Sequence, residues 1–149
     1  MSTELQSLLS VDATIKVSST LDKSVGKKFL TDGSPETCWT SQQGTPQYIQ
    51  ISFDKPVVPK RISITFQGGF VGTRCSVEVP SKSADGGKVE WEPWTSIYPE
   101  DVNRMQTFEF SNEERVKDGI QRLRLVFQES SDFFGRITVY DLQLYGNVV

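Results

Sequence analysis

Tyr48-Ile49-Gln50-Ile51-Ser52-Phe53 sets Ile49, Ile51 and Phe53 on one face of an extended chain and Tyr48, Gln50 and Ser52 on the other. Side chains alternate across a strand, so this is the pattern of a strand with one face in a core and one in water. Arg61 to Gln67 repeats it with Ile62, Ile64 and Phe66 inward. Cys75, Val77 and Val79, then Phe108 and Phe110, then Leu123, Leu125 and Phe127 continue the same period. In Arg136 to Tyr145 the inward set begins with Ile137 and Val139 and shifts phase to Tyr140, Leu142 and Leu144. Such a break predicts a bulge or burial on both faces. Weaker runs at Ile15–Val17 and Trp94–Tyr98 complete about eight short strands separated by Gly, Pro, Asp and Ser loops, and helical periodicity is almost absent. The expected fold is all-β, an antiparallel jelly-roll β-sandwich of about eight strands in a single domain, 1–149, with residues 1–12 loosely packed.

The loops differ in kind. Ser18 to Pro46 is too long for a passive connector, and Lys27 to Leu30 within it reads as a helical turn. Ser81 to Gly87 is polar, glycine-rich and expected to be mobile. In Ser111 to Gly119, Ser111 and Glu114 carry the spacing of a capping box. If each strand crosses the sandwich in alternating direction, the loops at 18–46, 68–72, 99–104 and 128–135 share one rim. The termini and the loops at 54–60, 80–92 and 111–119 share the other. The first rim collects the glycines, aromatics and acids, the second mostly lysine, serine and proline.

Composition narrows the function classes. The 149 residues contain no histidine, which excludes Ser-His-Asp and Cys-His catalysis and histidine-ligated metals. With 16 Lys+Arg against 19 Asp+Glu the formal charge is −3, and no basic block offers a footprint for nucleic acid. No stretch approaches the ~20 apolar residues of a membrane span. Met1 to Ser10 has no basic leader and does not read as a secretory signal. Two cysteines, Cys38 and Cys75, make no secreted disulfide framework, so both are expected as free thiols in a reducing compartment, nucleus or cytoplasm.

Three segments carry candidate chemistry. Asp32-Gly33 followed by Thr37-Cys38-Trp39 reads either as an oxygen-ligand clasp for a structural calcium, with Asp32 and Thr37 as ligands, or as a turn that Asp32 starts and Thr37 closes. In the second reading Trp39 plugs the core. Gln67-Gly68-Gly69-Phe70 is a glycine-dense turn without the lysine or following helix of a phosphate loop. There Phe70 is either an exposed anchor or a lid on the core. Asp132-Phe133-Phe134-Gly135-Arg136 places two aromatics side by side, and an extended chain cannot turn both inward. At least one of Phe133 and Phe134 is therefore expected on the rim near Phe70. Asp132 either pairs with Arg136 or borders an interface. Gly69, Phe70, Glu100, Asp101, Asp132, Phe133, Phe134 and Arg136 form the candidate partner-binding set, an apolar centre with a charged border. The acidic loop residues show no spacing that selects a glycosidase pair, so catalysis is not expected.

Asp32-Gly33, Thr37-Cys38-Trp39-Thr40-Ser41 and Tyr48 to Phe53 together resemble the discoidin pattern, the coagulation-factor C-terminal type of galactose-binding-like domain. Glu36 to Trp39, Gln67 to Phe70, Tyr98 to Asp101 with Gln106-Thr107-Phe108, and Asp132 to Arg136 resemble, in order and spacing, a family of small proteins associated with an orphan nuclear receptor. That resemblance runs from about Lys16 to the C-terminus. It implies an eight-stranded jelly roll in a non-enzymatic, nuclear or cytoplasmic, monomeric protein. Such a protein needs no cofactor and represses receptor-driven transcription by protein contact. The other reading is a small-ligand module, binding carbohydrate or lipid with the same loops. Phenylalanines rather than exposed Trp or Tyr on the rim favour protein.

Overall fold

A computed structural model describes residues 4–9, 12–81 and 90–149. Its strands are β1 (Gln6–Ser7), β2 (Thr14–Val17), β3 (Trp39–Thr40), β4 (Gln47–Phe66), β5 (Gly72–Pro80), β6 (Trp91–Ile97), β7 (Met105–Glu109), β8 (Ile120–Ser130) and β9 (Thr138–Val148). Every pairing is antiparallel. The two alternating runs at 48–53 and 61–67 are halves of the one strand β4. Its first half pairs with β2 and with β8 as far as Ser52 opposite Arg122, and its second half pairs with β7 and β9. Between them Asp54, Lys55 and Pro56 are exposed and the register with β8 shifts. There the chain passes from one layer to the other. The loop expected at 54–60 is thus a bend within a strand: Pro59 costs little because the register with β9 slips beside it, between Pro59 and Arg61.

The two layers are β2-β4-β8-β5-β6 and β7-β4-β9, with β1 and β3 both added to β9. Ile49, Ile51, Phe53, Ile62, Ile64, Phe66, Leu123, Leu125, Leu142 and Leu144 are all buried between them, as the alternation requires. Phe66 from one layer meets Phe127 from the other edge-to-face, with centroids 5.7 Å apart. At Gly72 a Cβ would stand 2.4 Å from the Phe127 ring, so only glycine lets β5 pass beneath it.

The structure departs from the sequence reading in three further places. Residues 6–8 are not loosely packed: β1 pairs with the C-terminal strand and Leu8 is buried, because β9 would otherwise leave an open edge there. The capping box at Ser111–Glu114 does not form. The 3-10 turn Glu113–Val116 starts instead at Asn112, whose left-handed backbone (φ 61°) carries no side-chain cap and whose carbonyl accepts Trp94 Nε1–H at 2.9 Å. The bulge in the last strand is present, but it turns Tyr140 outward rather than inward. Thr65 pairs with Asp141 and Phe66 with Val139, so Tyr140 is the unpaired extra residue. The expected helical turn at Lys27–Leu30 is a 3-10 turn with Leu30 buried. Residues 82–87 of the polar loop lie outside the described residues.

Candidate functional site: an aromatic rim

The long segment before β4 is organised by one buried amide. Gln47 Oε1 accepts from the hydroxyls of Ser18 (2.6 Å) and Ser19 (2.7 Å), while its Nε2 donates to the Gly44 carbonyl at 2.8 Å. Trp39 is fully buried and donates Nε1–H to Ser19 O at 3.0 Å, so it is core and not rim. In the Asp32 turn, Ser34 N–H donates to Oδ1 at 3.0 Å and the Thr37 hydroxyl donates to Oδ2 at 2.5 Å. The Thr37 bond first, then that from Ser34, holds the Asp32 carboxyl below the ordinary aspartate range. The hydroxyl proposed as a calcium ligand is here a donor to the neighbouring carboxylate. Among the described residues no group of three or more carboxylates or thiols converges as a metal site would require.

The loops at 44, 68–72, 99–104 and 128–135 do meet. Gly68 N–H donates to Asn103 Oδ1 (2.9 Å) and Gly69 N–H to Asp101 Oδ1 (2.8 Å), which also accepts from Ser131 Oγ at 3.2 Å. Ser131 and Val71 exchange two further bonds, each 2.9 Å. Gly44 N–H donates to Phe134 O at 2.8 Å. Gly135, at φ +83°, passes so close to Gly44 that any Cβ would stand 2.9 Å from its backbone. Asp101 therefore braces two loops while it stays exposed at the rim. Glu100 does lie on the surface, loosely paired with Arg104 at 3.8 Å.

The pinned loop displays its aromatics outward. Phe133 is 94% exposed and Phe134 54%, their rings edge-to-face with centroids 5.2 Å apart. Beneath them Asp132 accepts from the backbone N–H and from Nε of Arg136, both at 3.0 Å. That pairing, the side-chain bond foremost, lowers the Asp132 carboxyl and raises the Arg136 guanidinium. The guanidinium lies 5.1 Å from the Phe70 ring centroid and 5.9 Å from that of Phe134. Phe70 is half-buried under Arg136, between the two readings the sequence left open. Ser131 and Asn103 hold these loops and were not singled out in the sequence, whereas Tyr98, from the Tyr98 to Asp101 motif, is exposed at the same end. A polar loop residue carries no local mark of the partner it will brace.

The family model described as Sad1/UNC-like C-terminal matches residues 16–148. A Xenopus laevis protein named nuclear receptor 2C2-associated protein is 41% identical over 143 residues, covering 94% of this chain and 98% of the relative. The Homo sapiens protein of that name is 34% identical over 146 residues, covering 96% and 98%. Among solved structures, the family 32 carbohydrate-binding module from C. perfringens NanJ in complex with galactose superposes with a TM-score of 0.72. It is 15% identical and covers 95% of this chain and 99% of that one. An F5/8 type C domain from Bacteroides fragilis gives a TM-score of 0.72 at 14% identity, covering 97% and 98%. The expected fold, an all-β antiparallel sandwich of the discoidin type, is the observed one. With relatives this similar over nearly their whole length, the chain belongs to the nuclear receptor 2C2-associated protein family, on a Sad1/UNC-like, F5/8 type C galactose-binding-like fold.

Proposed function

We propose that the chain is a non-enzymatic interaction module that captures a protein partner through the Phe70–Phe133–Phe134–Arg136 rim. The partner is a nuclear receptor or a similar regulatory protein of the nucleus or cytoplasm, and the expected consequence is repression of its transcriptional output. Relatives named for their association with nuclear receptor 2C2 support the partner class. The observation that carries the reading is the exposure of Phe133 and Phe134 on a loop already held by Asp132, Ser131 and Gly44. Apolar anchors on an immobilised loop lose little conformational freedom on binding, so more of their burial appears as affinity. Several proteins of similar fold are named carbohydrate-binding modules, which supports a second reading, a sugar bound by the same loops. Sugar sites stack hydroxylated rings on exposed Trp or Tyr beside oriented polar groups. Here Trp39 is fully buried and the pinned loop presents phenylalanine, which favours protein; the exposed Tyr98 beside the 99–104 loop is the ring on which a sugar would stack.

Immobilised chain should retain purified nuclear receptor 2C2, and Phe133→Ala with Phe134→Ala should weaken that capture by about tenfold or more. The unfolding midpoint should stay near wild type. Equal loss of midpoint and binding would make these rings core lids, and undiminished capture by the folded variant would move the site. Saturable binding of methyl-β-galactoside with no capture of receptor would establish the second reading.

A further inference from the structure

The bulge in β9 does more than interrupt a ladder. Val139 and Leu142 are buried, so the extra residue forces Tyr140 and Asp141 to share the outer face of the β7-β4-β9 layer. There they line a groove of about 400 Å³, with Thr65 and Gln143 beside them and Ser34 and Asn103 as its walls. A directed chain of hydrogen bonds leads to it. Tyr145 O–H donates to Gln143 Oε1 at 2.6 Å, and Gln143 Nε2 donates to Asp141 Oδ2 at 2.8 Å. Every donor in that chain points toward the carboxylate, and Oδ1 keeps no partner among the described residues, an acceptor left over on a residue that lines the groove. No Lys or Arg lines the groove, and among the described residues Asp141 makes no ion pair. Asn103 Oδ1 is engaged with Gly68, so its free polar atoms on this side are donors.

We propose that this groove binds the arginine side chain of an extended partner segment. A guanidinium presents its donors in a planar fork, so it can bond Asp141 Oδ1 and the Thr65 or Ser34 hydroxyl together while its face lies against the Tyr140 ring. The volume accommodates that head and its aliphatic stem. An ammonium, a compact point charge without a stacking face, uses only the carboxylate. The groove shares the 99–104 loop with the rim and none of its aromatic anchors, so the two sites fail separately.

The test is titration of the isotopically labelled full chain with acetyl-Gly-Arg-Gly-amide, followed by amide chemical shifts. The Arg peptide should perturb Tyr140, Asp141 and Gln143 saturably, and Phe133→Ala with Phe134→Ala should leave that binding unchanged. The same peptide carrying citrulline, isosteric and neutral, should bind at least about tenfold more weakly to wild type, and Asp141→Asn should lose a similar factor without a change in unfolding midpoint. The lysine peptide should fall between arginine and citrulline. Equal binding of the citrulline and arginine peptides, equal binding of lysine, or shifts confined to the aromatic rim would each overturn the proposal. So would preferential occupation of the groove by methyl-β-galactoside. The citrulline comparison uses unaltered protein and does not depend on any variant folding.

Discussion

Asp132 holds the rim together at the scale of one side chain. Its carboxylate is almost covered and takes both a backbone and a guanidinium donor from Arg136. Its folded pKa lies below that of the unfolded chain, so the ionised form is the one that favours folding. That contribution is complete above the ordinary aspartate range near pH ~4 and disappears as pH falls through the lowered folded value. Wild type should therefore unfold at a higher midpoint than Asp132→Asn at neutral pH, and the two curves should converge in acid. A difference that grows in acid would contradict the pairing. The i, i+4 spacing of Asp132 and Arg136 made this pair legible in the sequence. The bracing by Asp101 was not, because its partners Gly69 and Ser131 stand 32 and 30 residues away and nothing local marks them.

At the scale of the element, the segment from Ser131 to Arg136 works because its backbone is forced. Gly135 takes a left-handed conformation against the Gly44 backbone, which a Cβ would meet at 2.9 Å. Gly135→Ala should cost about 1–3 kcal/mol by denaturant unfolding and should also displace Phe133 and Phe134, weakening partner capture in the folded fraction. Stability lost without any loss of capture would show that the loop need not be rigid. The Asp32–Thr37 turn gives a contrasting expectation. Its carboxylate is already satisfied by Ser34 and Thr37, so millimolar calcium should leave the thermal midpoint of wild type unchanged. An upward shift in wild type that Asp32→Ala abolishes would establish the clasp instead. The phase break in the last strand announced a bulge or burial on both faces, since period-2 alternation fails there, and the bulge is what forms. Which residue is extruded depends on pairing with Thr65 and Phe66, more than seventy positions upstream in the chain and invisible to any local window.

At the scale of the whole molecule, the core was legible because alternation is local and its buried side falls where two layers close on each other. Ile64 shows what that closure is worth: it is fully buried, pairs with Leu142 on one side and Gln106 on the other, and Ile64→Ala should cost ~2–5 kcal/mol. The bend of β4 was less legible. Asp54-Lys55-Pro56 has the composition of a loop, and only the pairings on either side reveal one strand serving both layers. The two cysteines report on the same closure. Cys75 lies fully buried on β5 between Ile97 and Phe127, and burial pushes its thiol well above the ordinary range. Cys38 is only partly covered, with Sγ 3.7 Å from the Thr40 hydroxyl, and both are free. A thiol reagent at mild alkaline pH should therefore modify Cys38 in the native protein and reach Cys75 only on global unfolding. The slow phase should then follow the unfolding equilibrium and accelerate in Ile64→Ala. Unfolded protein prepared without reductant should titrate two thiols. Finding none would require a disulfide that this packing does not hold, and simultaneous reaction of both in native protein would mean that the β5-β6 side of the layer opens without the rest of the sandwich.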